Sequence, residues 1–193
     1  MGLFDNIKKQ VSQGVGEVVG GVSKATTNKS ETFTFTSLPE SVEEMKALPE
    51  ASGDSPYKVA ALTVCALCAY AANKDIGIEM LNFLKGPSPL SEYEKGFLRD
   101  RFMDNKYYIP FSYFEGSSPA NNYKPSEPYK VTVSSNPYSF QNEGYAKLFI
   151  KSSGADSARE VVLRKKESTG QWFLWEQMLL PDIRKPQQQD PWA

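Results

Sequence analysis

Residues 55–72, SPYKVAALTVCALCAYAA, constrain the fold more than any other part of this chain. A proline is tolerated at the first helical position, where its missing N–H is not needed, so Ser55-Pro56 reads as a helix start. From there Val59, Ala60, Leu62, Val64, Ala66, Leu67 and Tyr70 occupy every side of a 3.6-residue period. A helix apolar nearly all round needs protein on all sides, and no stretch approaches the ~18 consecutive apolar residues of a membrane span. The segment is therefore expected at the centre of a folded domain. A chain of 193 residues is long enough to build that domain around it.

The flanking patterns give the fold class. Thr32–Thr36 alternate, with Phe33 and Phe35 on one face, which predicts a strand. Ser41-x-x-Glu44 is a capping box opening a short helix that ends before Pro49. Beyond the central helix, Ile76–Lys85 carries Ile78, Leu81 and Leu84 and stops at Gly86-Pro87. Ser91-x-x-Glu94 is a second capping box, launching a helix through Phe97, Leu98 and Phe102 to about Met103. From residue 107 the period changes to alternation, with strands expected at Tyr107–Phe114, Tyr129–Val133, Tyr145–Lys151, Glu160–Lys165 and Gln171–Gln177. Ala146, Leu148 and Ile150 face one way, and Tyr145, Lys147, Phe149 and Lys151 the other. Residues 167–170 join the last two strands as a hairpin. Helices followed by antiparallel strands predict an α+β fold, a helical half packed on an antiparallel sheet of about five strands. Residues 25–31 have no apolar periodicity and read as a linker, 32–186 as the globular domain and 187–193 as a polar tail, expected to be extended.

Charge and composition remove several function classes. Residues 1–30 hold Lys8, Lys9, Lys24 and Lys29 against Asp5 and Glu17, whereas the remainder holds 18 basic against 21 acidic residues. A mildly acidic body argues against a nucleic-acid partner, which needs a basic face for phosphates. The chain has no histidine. Ser-His-Asp triads, Cys-His pairs and every His-containing zinc site are excluded with it, which argues against an enzyme. Cys65 and Cys68 form a C-x-x-C inside the apolar helical run, not at a helix N-terminus, so they read as small buried thiols and not as a redox pair. Asp100 with Asp104, and Glu176 with Asp182, are the acidic candidates for chemistry, and carboxylates at such spacing are mostly solvated surface. No metal site and no cofactor loop is expected.

The first 24 residues differ from the body. Leu3, Phe4, Ile7, Val11, Val15, Val18, Val19 and Val22 fall within an arc of about 160° on a helical wheel, with Asp5, Lys9, Gln13, Glu17 and Lys24 opposite. Gly14, Gly16, Gly20 and Gly21 together weigh about 4 kcal/mol against helix formation. Burying the stripe returns on the order of 10 kcal/mol before ordering is subtracted. The expectation is a helix that orders on contact, through residues 3–22, with a membrane surface, a second copy or the domain itself. Lys8 and Lys9 beside Leu3-Phe4 suit an anionic interface. Charges interrupt the segment where a signal peptide would be apolar, and Asn6 departs from the myristoylation pattern. These features point to a cytoplasmic protein, peripheral at the inner face of the membrane.

The loop GSSPANNYKPSEPY, residues 116–129, is long, polar and tyrosine-bearing. Together with its flanks it offers Tyr113, Asn121, Asn122, Tyr123 and Tyr138 as a rim for a small molecule, glycan or peptide. From Phe33 onward the chain resembles an uncharacterised bacterial domain family, a domain of unknown function. The resemblance is carried by SPYKVAALTVCALCAY, IEMLNFLKGPSPLSEYEKGFLRDRF, YIPFSYFEGSSPANNYKPSEPY and QWFLWEQMLLPDIRKP, within residues 33–186. It implies a self-contained domain and no particular activity. The leading expectation is a non-enzymatic bacterial interaction module tethered through its N-terminal helix. The alternative is a ligand-binding domain using the aromatic loop.

Overall fold

The structure, a computed structural model, describes residues 28–192. The stripe from Leu3 to Val22 and the proposed helical appendage lie outside the described residues. The fold is α+β. Strand β1 (Ser30–Phe35) is followed by helices α1 (Val42–Ala47), α2 (Pro56–Ala72), α3 (Lys74–Lys85) and α4 (Glu92–Arg101). Strands β2 (Tyr129–Ser134), β3 (Tyr145–Ile150), β4 (Arg159–Lys165) and β5 (Trp172–Gln177) complete one antiparallel sheet in chain order, β1-β2-β3-β4-β5.

The central helix behaves as its composition demands. It crosses the inner face of the sheet and touches all five strands. Leu62, Val64 and Leu67 are fully buried, and the Thr63 hydroxyl is spent on the Val59 carbonyl at 2.8 Å. Beneath α2 the sheet shows a period of two: Phe33 and Phe35, Val131 and Val133, Ala146, Leu148 and Ile150, Val161 and Leu163, and Leu174 all face inward and are buried. Cys65 and Cys68 are buried on α2, and burial pushes both thiols well above their ordinary range.

Helix α3 is pressed unusually close to α2. Asn73 ends α2 and caps α3, its Oδ1 accepting from the amides of Asp75 at 3.0 Å and Ile76 at 3.4 Å. The cap starts α3 two residues earlier than the apolar period suggests. One turn on, Gly77 lies against the backbone of Tyr70; a β-carbon there would stand 2.6 Å from the Tyr70 amide nitrogen. At the other end α3 stops at Gly86, whose φ of +56° suits glycine and whose missing side chain makes room for the Phe173 ring.

Three expectations are corrected. Residues 107–114 are not a strand but part of a 3-10 helix, Lys106–Tyr113. Pro110 has no ladder N–H to give, and burial at Ile109 and Ser112, and at Pro110 and Tyr113, follows a three-residue period. Ser30 and Glu31 are not linker: they pair with Ser134 and Val133, a partnership no local pattern reveals. The tail does not run free, because Gln187–Gln189 form a short 3-10 turn that returns against the Pro119–Asn121 turn.

A cleft between α3, α4 and the β5 edge

The candidate site grows from the capping box at the start of α4. Ser91 Oγ accepts from the Glu94 amide, and Glu94 Oε2 accepts from the Ser91 amide at 2.8 Å. That reciprocal cap fixes the Glu94 carboxylate and leaves Oε1 facing α3. There it accepts from Lys85 Nζ at 2.7 Å. Lys85 is the last residue of α3, a position favoured for a cation by the helix dipole, and it is only 6% exposed. Its second hydrogen bond goes to the Trp175 carbonyl on β5, at 3.1 Å. One ammonium therefore joins α3, α4 and β5, and among the described residues it has no third acceptor.

A bulge creates the carbonyl that Lys85 uses. Val162 pairs with Glu176 and Leu163 with Leu174, so Trp175 is the extra residue without a partner on β4. β5 is an edge strand, and its free side is closed by Lys85 at Trp175 and by the Gly53 carbonyl, which accepts from the Trp172 amide at 2.7 Å. The Trp175 ring meets Tyr145 edge-on at 6.0 Å, and the Arg164 guanidinium lies 4.7 Å from its centroid.

Beside the Lys85–Glu94 pair is a cavity of about 260 Å³, walled by Leu81, Leu90, Phe97, Leu98 and Leu174. Tyr93 and Met178 stand around it, 84% and 43% exposed, and Trp175 lines it at the β5 edge while its ring packs with Tyr145 and Arg164. Burial alone would raise the Glu94 carboxyl, but the hydrogen bonds from Lys85 and Ser91 outweigh it and hold the group below the usual carboxylate range. Both charges are thus committed to each other and to the backbone. The arrangement can hold an apolar group and, at the third Lys85 N–H, one further acceptor.

The residues expected to form an aromatic rim do not converge. Tyr113 and Tyr123 are core residues, 3% and 1% exposed. The Tyr113 hydroxyl donates to the Leu179 carbonyl and that of Tyr123 to the Arg184 carbonyl at 2.7 Å. Asn121 is exposed but spends its side chain inside the loop, donating to the carbonyls of Gly116 and Lys124 at 2.8 and 3.0 Å. Asn122 occupies a left-handed turn with φ of +56°, and Tyr138 is exposed on the separate loop between β2 and β3. The long loop is polar because its own side chains satisfy its backbone, and Tyr123 within it, with Tyr113 just before it, bolts it to the closing segment.

These buried phenols make a testable case at high pH. Burial pushes the Tyr123 phenol up to about 12, and that of Tyr113 higher. A group raised in the folded state stabilises fully below its unfolded pKa of about 10 and loses that contribution as pH rises towards the folded value. Unfolding in urea is expected to become easier from about pH 10 upward, in step with phenolate absorbance. A midpoint flat through that range would contradict the burial.

Of the acidic candidates, Asp100 lies 3.8 Å from Arg99 and Asp104 3.6 Å from Lys106, each on the surface. Glu176 lines the cleft, while Asp182 lies in a left-handed turn lining a separate cavity with Asp100. Sequence reasoning missed the cleft. Its signal was partial: Ser91-x-x-Glu94 marks the cap, but nothing local places the Trp175 carbonyl over Lys85.

Among the described residues no helix is long and apolar enough to cross a membrane, and no group of three or more His, Cys, Asp or Glu is placed to hold a metal ion. No curated protein and no solved structure matches the chain. A family model matches residues 37–187, from just after β1 to the closing 3-10 turn, so the chain belongs to the family described as a domain of unknown function (DUF6935).

Proposed function

We propose that this protein is a non-enzymatic interaction module: an α+β domain carried to a membrane surface or to a second copy of itself by the stripe from Leu3 to Val22, with the α3/α4/β5 cleft as the contact surface of the folded part. The observation that carries the second half is the exposure of Tyr93 and Met178 beside one apolar cavity at the β5 edge. Exposed apolar side chains scattered singly need no explanation, but a cluster about a concavity is the usual form of a contact site. The Lys85–Glu94 pair supports binding over turnover, because the two groups are already spent on each other and on the backbone. The stripe supports the first half, with eight apolar side chains on one arc and Lys8 and Lys9 beside them.

Full-length protein and the variant Phe4→Glu/Ile7→Glu test this in parallel. Each substitution removes roughly 2–3 kcal/mol of apolar burial at any docked interface. Co-sedimentation with vesicles of mixed phosphatidylcholine and phosphatidylglycerol, or the dimer fraction by light scattering, is expected to fall at least tenfold in the variant. If lipid binding and solution mass are both unmoved by the substitutions, the tether does not exist.

A further inference from the structure

We propose that the α3/α4/β5 cleft is the seat of this chain's own N-terminal stripe, so that Leu3, Phe4 and Ile7 dock in the same molecule beside the Lys85–Glu94 pair. The inference rests on the reading of the cleft as a contact surface, and four observations converge on this occupant.

Size comes first. A cavity of about 260 Å³ lies below the roughly 300–1,000 Å³ of sites that enclose a drug-sized ligand. It suits one or two side chains inserted from a segment lying across it. The second is chemistry. The stripe is apolar, and in a helical period Leu3-Phe4 and Ile7 bring large side chains to one arc. Charge is the third. Lys85 and Glu94 cancel, leaving Glu176 as the net charge of the cleft, and Lys8 directly follows Ile7 in the stripe.

Reach is the fourth. A row of paired residues crosses the sheet from Ser30 through Ser134, Phe149 and Glu160, and the Glu160 carbonyl accepts from the Met178 amide at 2.9 Å. The start of β1 is therefore level with Met178 at the mouth of the cleft, four strand spacings or about 19 Å away. Eighteen residues in a helical period, 7–24, would cover about 27 Å, and the linker after them adds to that, so the stripe can reach the cleft without leaving its own molecule. Linkage within one chain supplies an effective concentration that a second copy has to compete against. A surface that takes the stripe then has to displace it first, and the apparent affinity falls by the fraction of molecules with the cleft empty.

The test uses full-length Met178→Cys as a reporter, because Cys65 and Cys68 are buried and stay silent towards a maleimide. With the stripe intact, labelling at position 178 is expected to be at least about tenfold slower than in the same reporter carrying Phe4→Glu/Ile7→Glu, which corresponds to a cleft occupied about nine-tenths of the time. The protection is expected to survive hundredfold dilution and to be unaffected by Gln13→Glu on the polar side. Tyr93→Cys, at an 84% exposed position, repeats the measurement should Met178→Cys lower stability. Equal rates with and without the stripe substitutions overturn the proposal. Protection that vanishes on dilution overturns it too, by assigning the cleft to a second copy. The assay contains no lipid, so its failure is separate from failure of the vesicle and mass measurements.

Discussion

Replacing Gly77 by alanine is expected to destabilise the protein by about 3 kcal/mol, the upper part of the range for overpacking. Helix propensity alone predicts the opposite sign, because alanine is favoured over glycine by about 1 kcal/mol inside a helix. The geometry decides between them. The new methyl would sit 2.6 Å from the Tyr70 amide nitrogen, against backbone of α2 that cannot rotate away as a side chain would. Helices α2 and α3 must then separate, and α2 is the element that touches every strand. Urea denaturation measures the change directly. A midpoint equal to or above that of the parent protein would mean that the close approach of the two helices does not exist in solution.

The second large effect is expected at Lys85. Lys85→Met keeps most of the buried stem but removes the charge, leaving the Glu94 carboxylate and the Trp175 carbonyl without their donor. Breaking a fully buried pair costs 3–5 kcal/mol. Glu94 keeps its bonds to Ser91 and its side chain is 35% exposed, so solvent reduces the loss to about 2 kcal/mol. The pH dependence follows from Glu94. Its folded carboxyl lies below the unfolded value of about 4.3, so it contributes stability above that pH and loses it as pH falls through the depressed folded value. The parent protein should therefore weaken from about pH 5 downward, and Lys85→Met should weaken less steeply. Combining Lys85→Met with Glu94→Gln is expected to recover part of the loss, since neither charge is then stranded. Fully additive effects in that cycle would show that the two side chains do not interact.

Much of the framework was legible from local chemistry. Pro56 at a helix start, the Ser91 capping box, the alternation of Ala146, Leu148 and Ile150 and the uninterrupted apolarity of α2 each read correctly. In every case the information lies within a few residues of where it acts. Tyr107–Phe114 failed because aromatic and β-branched residues suit a strand and a buried 3-10 helix alike, and Pro110 was the available discriminator. Ser30 and Glu31 failed because polar residues join a strand only when a partner strand claims them. The tyrosines at 113 and 123 failed for a related reason. A polar loop around a tyrosine says nothing about whether its ring points out or anchors the loop inward, and here the carbonyls of Leu179 and Arg184 draw both inward.

By itself, the sequence determined a buried central helix, an α+β order of elements and a chain without histidine chemistry. All follow from periodicity, capping and composition, which act over one or two helical turns. Only the tertiary structure decided where the α3/α4/β5 cleft lies. Lys85, Glu94 and Trp175 come from three elements up to 90 residues apart, and a one-residue bulge in β5 supplies the carbonyl that makes burying the lysine tolerable. A buried cation needs partners on several sides at once, and partners that distant in the chain meet only after the sheet has closed against its helices.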